Sequence, residues 1–183
     1  MIHELLKSDL PLTQVISYKT RPLREDEVDG VDYHYMTDEE FKDAIVAWDF
    51  LEYEQNHWLY WYATSKKDII ELLNEGKTII KEIDIKGIIE IKDHHQDVWE
   101  VTKSIFLDLD EKTMAERIHK RGAVGEEELG ERLASASMER ALWKEYCTDM
   151  LDASWTIEEE FARVYAVVSA YIKENQLFDS MMI

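Results

Sequence analysis

The sequence predicts an α/β fold, with a mostly parallel sheet between helix layers and a small mixed insert over residues 36–64. Three observations carry this. Short apolar runs of strand character alternate along the chain with helical periodicities. The hydrophobic fraction, 45%, is enough to build a core. The 183 residues hold only two prolines and six glycines and show no internal period, which argues for one domain and against a loop-rich or repeat architecture.

In chain order, Ile2, Leu5 and Leu6 stand at helical spacing over Met1–Lys7, and that helix ends near Pro11. "LTQVISY" reads as a buried strand. Thr37 followed by Glu40 is a capping box, and Phe41, Ile45 and Trp48 form the apolar stripe of a short helix. "FLEYEQ" and "WLYWYAT" read as strands with "NH" at the turn between them. Ser65 caps a second helix with Ile69, Leu72 and Leu73 inward, and Gly76 ends it. "KTIIKEIDIKG" reads as an apolar strand with acids near its end, and "SIFLDL" as another buried strand. His94 and His95 fall in a polar loop without metal-ligand spacing. Lys112–Arg121 and Glu127–Glu145 read as helices joined by a glycine-containing link. "EEEFARVYAVVSAYIKEN" is an amphipathic helix with Phe161, Val164, Val168, Tyr171 and Ile172 on one side, fraying after Gln176.

Forty acids against 21 Lys and Arg give a net charge of −19. Such a surface repels nucleic acid and anionic lipid, so neither is expected as a partner. Any anionic ligand must be met by a local basic cluster. The single Cys147 excludes an internal disulfide, suits a reducing cytosol and is expected to be buried. No apolar run approaches the ~20 residues that span a membrane. The first residues lack a signal-peptide layout, and a cytoplasmic location is expected.

One local basic cluster is visible. Arg21 and Arg24 flank Pro22, which fixes the backbone between them. A guanidinium presents a planar fork of donors that grips phosphate oxygens in two places. The plainer reading is that both arginines pair with Glu25, Asp26 or Glu27 on the surface.

The surroundings favour the phosphate reading. "SYKTRPLREDEVDGVDYHY" resembles the monophosphate-binding segment of guanylate kinases. The resemblance continues through "FLEYEQ", "YATS", "GKTIIKEIDIKG", "SIFLDL" and "RIHKRGAVGEEELGERL", covering most of residues 15–135 in order. It implies a P-loop nucleoside-monophosphate-kinase-like three-layer fold: a core over 1–18, 76–111 and 133–183, a GMP-binding insert over 19–75 and a helical lid over 112–132. It also implies site residues. Arg21, Arg24 and Tyr33 would hold the GMP phosphate, with Glu27 bracing the arginines. Ser17 and Glu52 would face guanine, whose N1–H and N2 amino group one carboxylate can accept together; adenine has a bare acceptor at N1. The plainer reading of Glu52 is a solvent-facing strand residue. Tyr62 and Thr64 match a Tyr-Gly-Thr pattern, with Ala63 replacing the glycine. Trp58, Tyr60 and Trp61 are expected to pack.

Glu82 and Asp84 match an Asp-x-Asp pair at a strand's end, where Asp84 can contact GMP or approach a nucleotide's Mg²⁺ through water; no direct metal ligand is expected. Arg117, Arg121 and Arg132 match lid arginines that close over ATP and neutralise the transferring phosphoryl group. Their plainer reading is helix salt bridges, such as Arg132 with Glu128 at i,i+4.

One expected motif is absent. No Gly-x-x-x-x-Gly-Lys-Ser/Thr loop, which cradles ATP phosphates, occurs in these 183 residues. On the alignment it would fall just before Met1, together with an inner strand of the sheet. A gene start set at an internal Met explains this most simply, and a shortened descendant unable to use ATP is the alternative. Near the carboxyl end, Asp152 and Ser154 stand where the family seats adenine with Asn-Asp. The implied reaction is ATP + GMP ⇌ ADP + GDP with Mg²⁺, with dGMP or a modified nucleotide as other possible acceptors. The rival is a GMP-binding or protein-interaction module without catalysis. Oligomeric state is not legible.

Overall fold

The computed structural model describes residues 1–56, 59–121 and 125–181. The chain forms two compact units, one spanning Ile2–Val101 and the other beginning at Thr102.

The first unit runs α1 (Ile2–Leu6), β1 (Leu12–Gln14), β2 (Tyr18–Lys19), β3 (His34–Tyr35), α2 (Asp38–Val46), β4 (Phe50–Asn56), β5 (Tyr60–Ser65), α3 (Lys66–Asn74), β6 (Thr78–Ile80), α4 (Ile85–His94) and α5 (Gln96–Trp99). β1 and β6 pair in parallel, Leu12 opposite Thr78. β3, β2, β5 and β4 form a mixed four-stranded sheet in that order, parallel between β2 and β3 and antiparallel elsewhere. Two apolar clusters hold these layers. Val15, Leu51, Ile69, Ile91 and Val98 join the parallel ladder to α3, α4 and β4. Phe41 on α2 packs on Phe50 and Ala63 of the mixed sheet, its ring centroid 4.7 Å from that of Phe50.

The helix starts follow the sequence. Thr37 Oγ1 accepts from Glu40 N while the Glu40 carboxylate accepts from Thr37 N, the reciprocal capping box. Ser65 caps α3 by accepting from Asp68 N. The end of α2 differs from expectation. Trp48 does not continue the apolar stripe; it lies past the helix at φ 59° and is 70% exposed. Its N–H bonds Ile45 O and the Asp49 N–H bonds Ala44 O, so Trp48 occupies the left-handed position of a Schellman stop. Trp58 lies outside the described residues.

"KTIIKEIDIKG" is not one strand. β6 ends at Ile80, and α4 begins at Ile85 because Asp84 caps it, accepting from Gly87 N at 2.8 Å. The histidines are therefore not in a loop: His94 closes α4, and His95, 4% exposed, stands between α4 and α5.

The second unit runs β7 (Ile105–Asp108), α6 (Glu111–Arg121), α7 (Glu126–Tyr146), β8 (Asp149–Asp152) and α8 (Ile157–Met181). β7 and β8 pair in parallel along their whole length. Reciprocal bonds between Ser104 and Thr148 set their register at the start. α8 continues past Gln176 to Met181 rather than fraying, since no glycine or proline interrupts it. Cys147 is half-buried, not fully buried. No described helix is long and apolar enough to cross a membrane.

Candidate functional site

Strand alternation gathers the first unit's polar residues. Ser17, Lys19 and Arg21 occupy alternate positions of an extended stretch and so share a face. Lys19 lies opposite Tyr35 on one side and Tyr62 on the other. Tyr62 lies opposite Glu54, and Thr64 opposite Glu52. The other face turns Tyr18, Trp61 and Ala63 toward Phe41 and α2. One side of the sheet is thus core and the other is site.

One row of this face is built around Glu27. Its Oε1 accepts from Arg21 Nη2 at 2.5 Å and from Lys19 Nζ at 3.1 Å. Its Oε2 accepts from Tyr35 Oη at 2.8 Å and from the Arg24 backbone N–H at 2.9 Å. Desolvation would raise the Glu27 pKa, but these donors outweigh it and bring it down to about 2. Tyr35 moves the other way, to about 12, by desolvation and by its bond to Glu27. Desolvation acts to lower the Arg21 pKa, yet bonds to Glu27 and Tyr62 raise it, so this guanidinium stays charged.

Lys19 is fully enclosed, with 0% of its side chain exposed. Its ammonium sits 3.3 Å from the centroid of the Tyr33 ring and 4.8 Å from that of Tyr35. Burial lowers its pKa, and Glu27 opposes that. Lys19 and Arg21 bring two cations to one carboxylate, while Arg24 bonds it through its backbone N–H and leaves its side chain exposed to solvent. Such a cluster can receive an anion in an otherwise acidic protein. The plainer reading holds for Arg21, which pairs with Glu27 and is oriented by that pair.

The next row on the same face is different. Thr64 Oγ1 donates to Glu52 Oε1 at 2.5 Å. Desolvation raises the Glu52 pKa, with Asp84 and Glu90 adding to it and Thr64 and Lys81 opposing. Lys81 Nζ donates to Ser17 Oγ. Glu54 pairs with Lys86 at 2.6 Å and shares a hydrogen bond with Asp84, which is pushed up to about 6 by desolvation and by Glu54. Asp84 therefore serves first as the cap of α4, whereas Glu82 is exposed. Gly87 lets α4 approach: a Cβ there would fall 3.3 Å from Glu52 Cγ. Successive same-face rows of a strand stand about 7 Å apart. The Lys19–Tyr62 row and the Thr64–Glu52 row therefore stand about that far apart along the strands.

In the second unit, Arg117 Nη2 donates to Ala153 O at 2.7 Å and Trp155 O at 3.2 Å, and Nη1 lies 3.5 Å from Glu160. Arg132 makes the plain i,i+4 pair with Glu128 at 2.6 Å. The side chain of Arg121 lies outside the described residues. Asp152 Oδ1 accepts from the backbone and hydroxyl of Ser154, closing a local turn. Arg140 bonds Asp108 and Leu109 O, each at 2.6 Å, at the carboxyl end of β7. Among the described residues no group of three His, Cys, Asp or Glu side chains could hold a metal ion.

Sequence reasoning missed Lys19, Tyr35, Lys81, Glu54 and Arg140. Period-two alternation could have found the first: Lys19 stands midway between Ser17 and Arg21. The same rule ties Tyr35 to Tyr33.

The guanylate kinase family model matches residues 1–172. A guanylate kinase of Clostridium tetani is 33% identical over 172 residues, 92% of this chain and 78% of that protein. One of Clostridium perfringens is 35% identical over 171 residues, 88% of this chain and 75% of that protein. The crystal structure of guanylate kinase from Anaplasma phagocytophilum superposes with a TM-score of 0.70 at 21% identity, covering 92% of this chain and 79% of that one, a likeness of fold. With its α/β architecture and its phosphate-suited arginine row, the chain belongs to the guanylate kinase family of nucleoside monophosphate kinases.

Proposed function

We propose that the polar face of the mixed sheet binds GMP and that the chain's role is to pass it the terminal phosphoryl group of ATP. The observation that carries this is the pairing of two rows: a cation row organised by Glu27, and a Glu52–Thr64 row one sugar's length away. Arg21 and Arg24 grip the phosphate, with Tyr33 and Tyr62 beside them. Glu52 accepts from guanine N1–H and N2–H, and Ser17 and Thr64 complete the base contacts. The insert is assigned to 19–75, the lid to 112–132 and the remainder to the core.

Catalysis in this reading is positioning and charge neutralisation; no general base of unusual strength is required. Arg117, Arg121 and Arg132 close on the donor nucleotide. The present partners of Arg117 and Arg132 are backbone carbonyls and helix carboxylates, which polyphosphate oxygens can replace. Mg²⁺ would arrive with ATP and offset its phosphate charge. Asp84 and Glu82 fit such an ion only through water, because Asp84 already spends one oxygen on Gly87 N. A cytoplasmic setting suits the single unpaired cysteine. The non-catalytic alternative gives the matched lid arginines no phosphate to meet.

Calorimetric titration tests this reading. GMP is expected to bind the full chain and AMP to bind far less. Arg24→Ala should weaken GMP by about 2–3 kcal/mol, as loss of a charge-assisted contact implies. dGMP in the same titration reads the sugar. No heat with GMP, or equal binding of AMP, would remove the proposal.

A further inference from the structure

We propose that Lys81 is a base-specificity residue, its ammonium donating to the O6 acceptor of guanine beside the carboxylate of Glu52. The inference rests on the reading that guanine lies on the Glu52–Thr64 row. It names a contact not included there.

Lys81 follows β6 and is half-buried, an unusual place for an ammonium. Its Nζ donates to Ser17 Oγ. The charges acting on it are those of Glu52 and Glu82. An ammonium carries three donors and no acceptor. Ser17 takes one, and the register that sets Tyr18 opposite Ala63 and Thr64 opposite Glu52 puts Ser17 beside Thr64, the residue that bonds Glu52. Enclosed donors without acceptors are costly, and a ligand acceptor relieves that cost.

Guanine supplies the matching edge. N1–H and the N2 amino group donate toward a carboxylate, and O6, adjacent to N1, accepts. A carboxylate held by Thr64 and an ammonium bonded to the neighbouring Ser17 therefore supply the acceptor and the donor that this edge calls for. Adenine offers an N6 amino donor where guanine has O6. The lysine would then face a donor with a donor, just as Glu52 faces the bare N1 with a lone pair. Two mismatched groups reject the wrong base more strongly than one, since each leaves a desolvated partner unpaired.

A ligand change isolates the contact. 6-Thio-GMP keeps N1–H and the N2 amino group but replaces O6 with a poorer acceptor. Wild-type chain should bind GMP about tenfold tighter than 6-thio-GMP by calorimetry. Lys81→Met should lose about tenfold for GMP and leave 6-thio-GMP nearly unchanged, so that the preference disappears. Lys81→Gln, which restores an N–H donor, should recover part of it and serves if the Met variant does not fold. Equal weakening of both ligands would show a purely structural lysine, and unchanged GMP affinity would show no contact; either overturns the proposal. Failure of wild-type chain to bind GMP at all would instead refute the underlying site.

Discussion

Glu27 concentrates more consequence than any other side chain of the first unit. It is exposed enough to be reached by solvent, yet it accepts four donors and its pKa falls to about 2. A carboxylate whose folded pKa lies below its ordinary 4.5 stabilises the fold fully above pH 4.5. That contribution is lost as pH falls from 4.5 toward 2. Denaturant melts across this window should show stability falling with acidification in the wild type. Glu27→Gln should be less stable near neutrality and flatter in the same acid window. Parallel curves for the two proteins would mean that Glu27 does not carry the acid limb. At this scale a motif singled out Arg21, Arg24 and Glu52 as candidates, and the structure sets Arg21 on Glu27 and Glu52 on Thr64. Lys19 was not legible in the sequence, because a buried lysine contradicts composition rules unless its partners are known. Those partners, Glu27 and the ring of Tyr33, are 8 and 14 positions away in the chain.

Capping chemistry made α2 and α3 readable, since Thr37 with Glu40 and Ser65 are local signals that tertiary packing did not override. The stretch after Lys77 was misread for a physical reason. Ile79, Ile80, Ile83 and Ile85 are β-branched and suggest one strand, while Asp84 drew attention as an acid near a nucleotide rather than as a helix cap. The helix it starts is held close to the site by Gly87. Alanine normally improves on glycine inside a helix by about 1 kcal/mol. At Gly87 the sign should reverse: a Cβ would meet Ile83 Cγ1 at 2.5 Å and Glu52 Cγ at 3.3 Å. Gly87→Ala should destabilise by about 1–3 kcal/mol through overpacking. It should also reduce the preference for GMP over AMP by displacing Glu52. Urea melts and paired titrations check both, and a variant as stable as the parent would show that the site has slack.

For the molecule as a whole, the α/β class and the family were legible because several motifs occur in series, whereas the partition into units at Val101–Thr102 left no mark in composition. The hub at Glu27 has a kinetic consequence of its own. Its donors are already in position in the free protein, so a phosphate bound as proposed would find Arg21 without waiting for it to turn. Diffusive encounter would then govern how fast GMP associates, and alterations around the hub should change residence time far more than arrival.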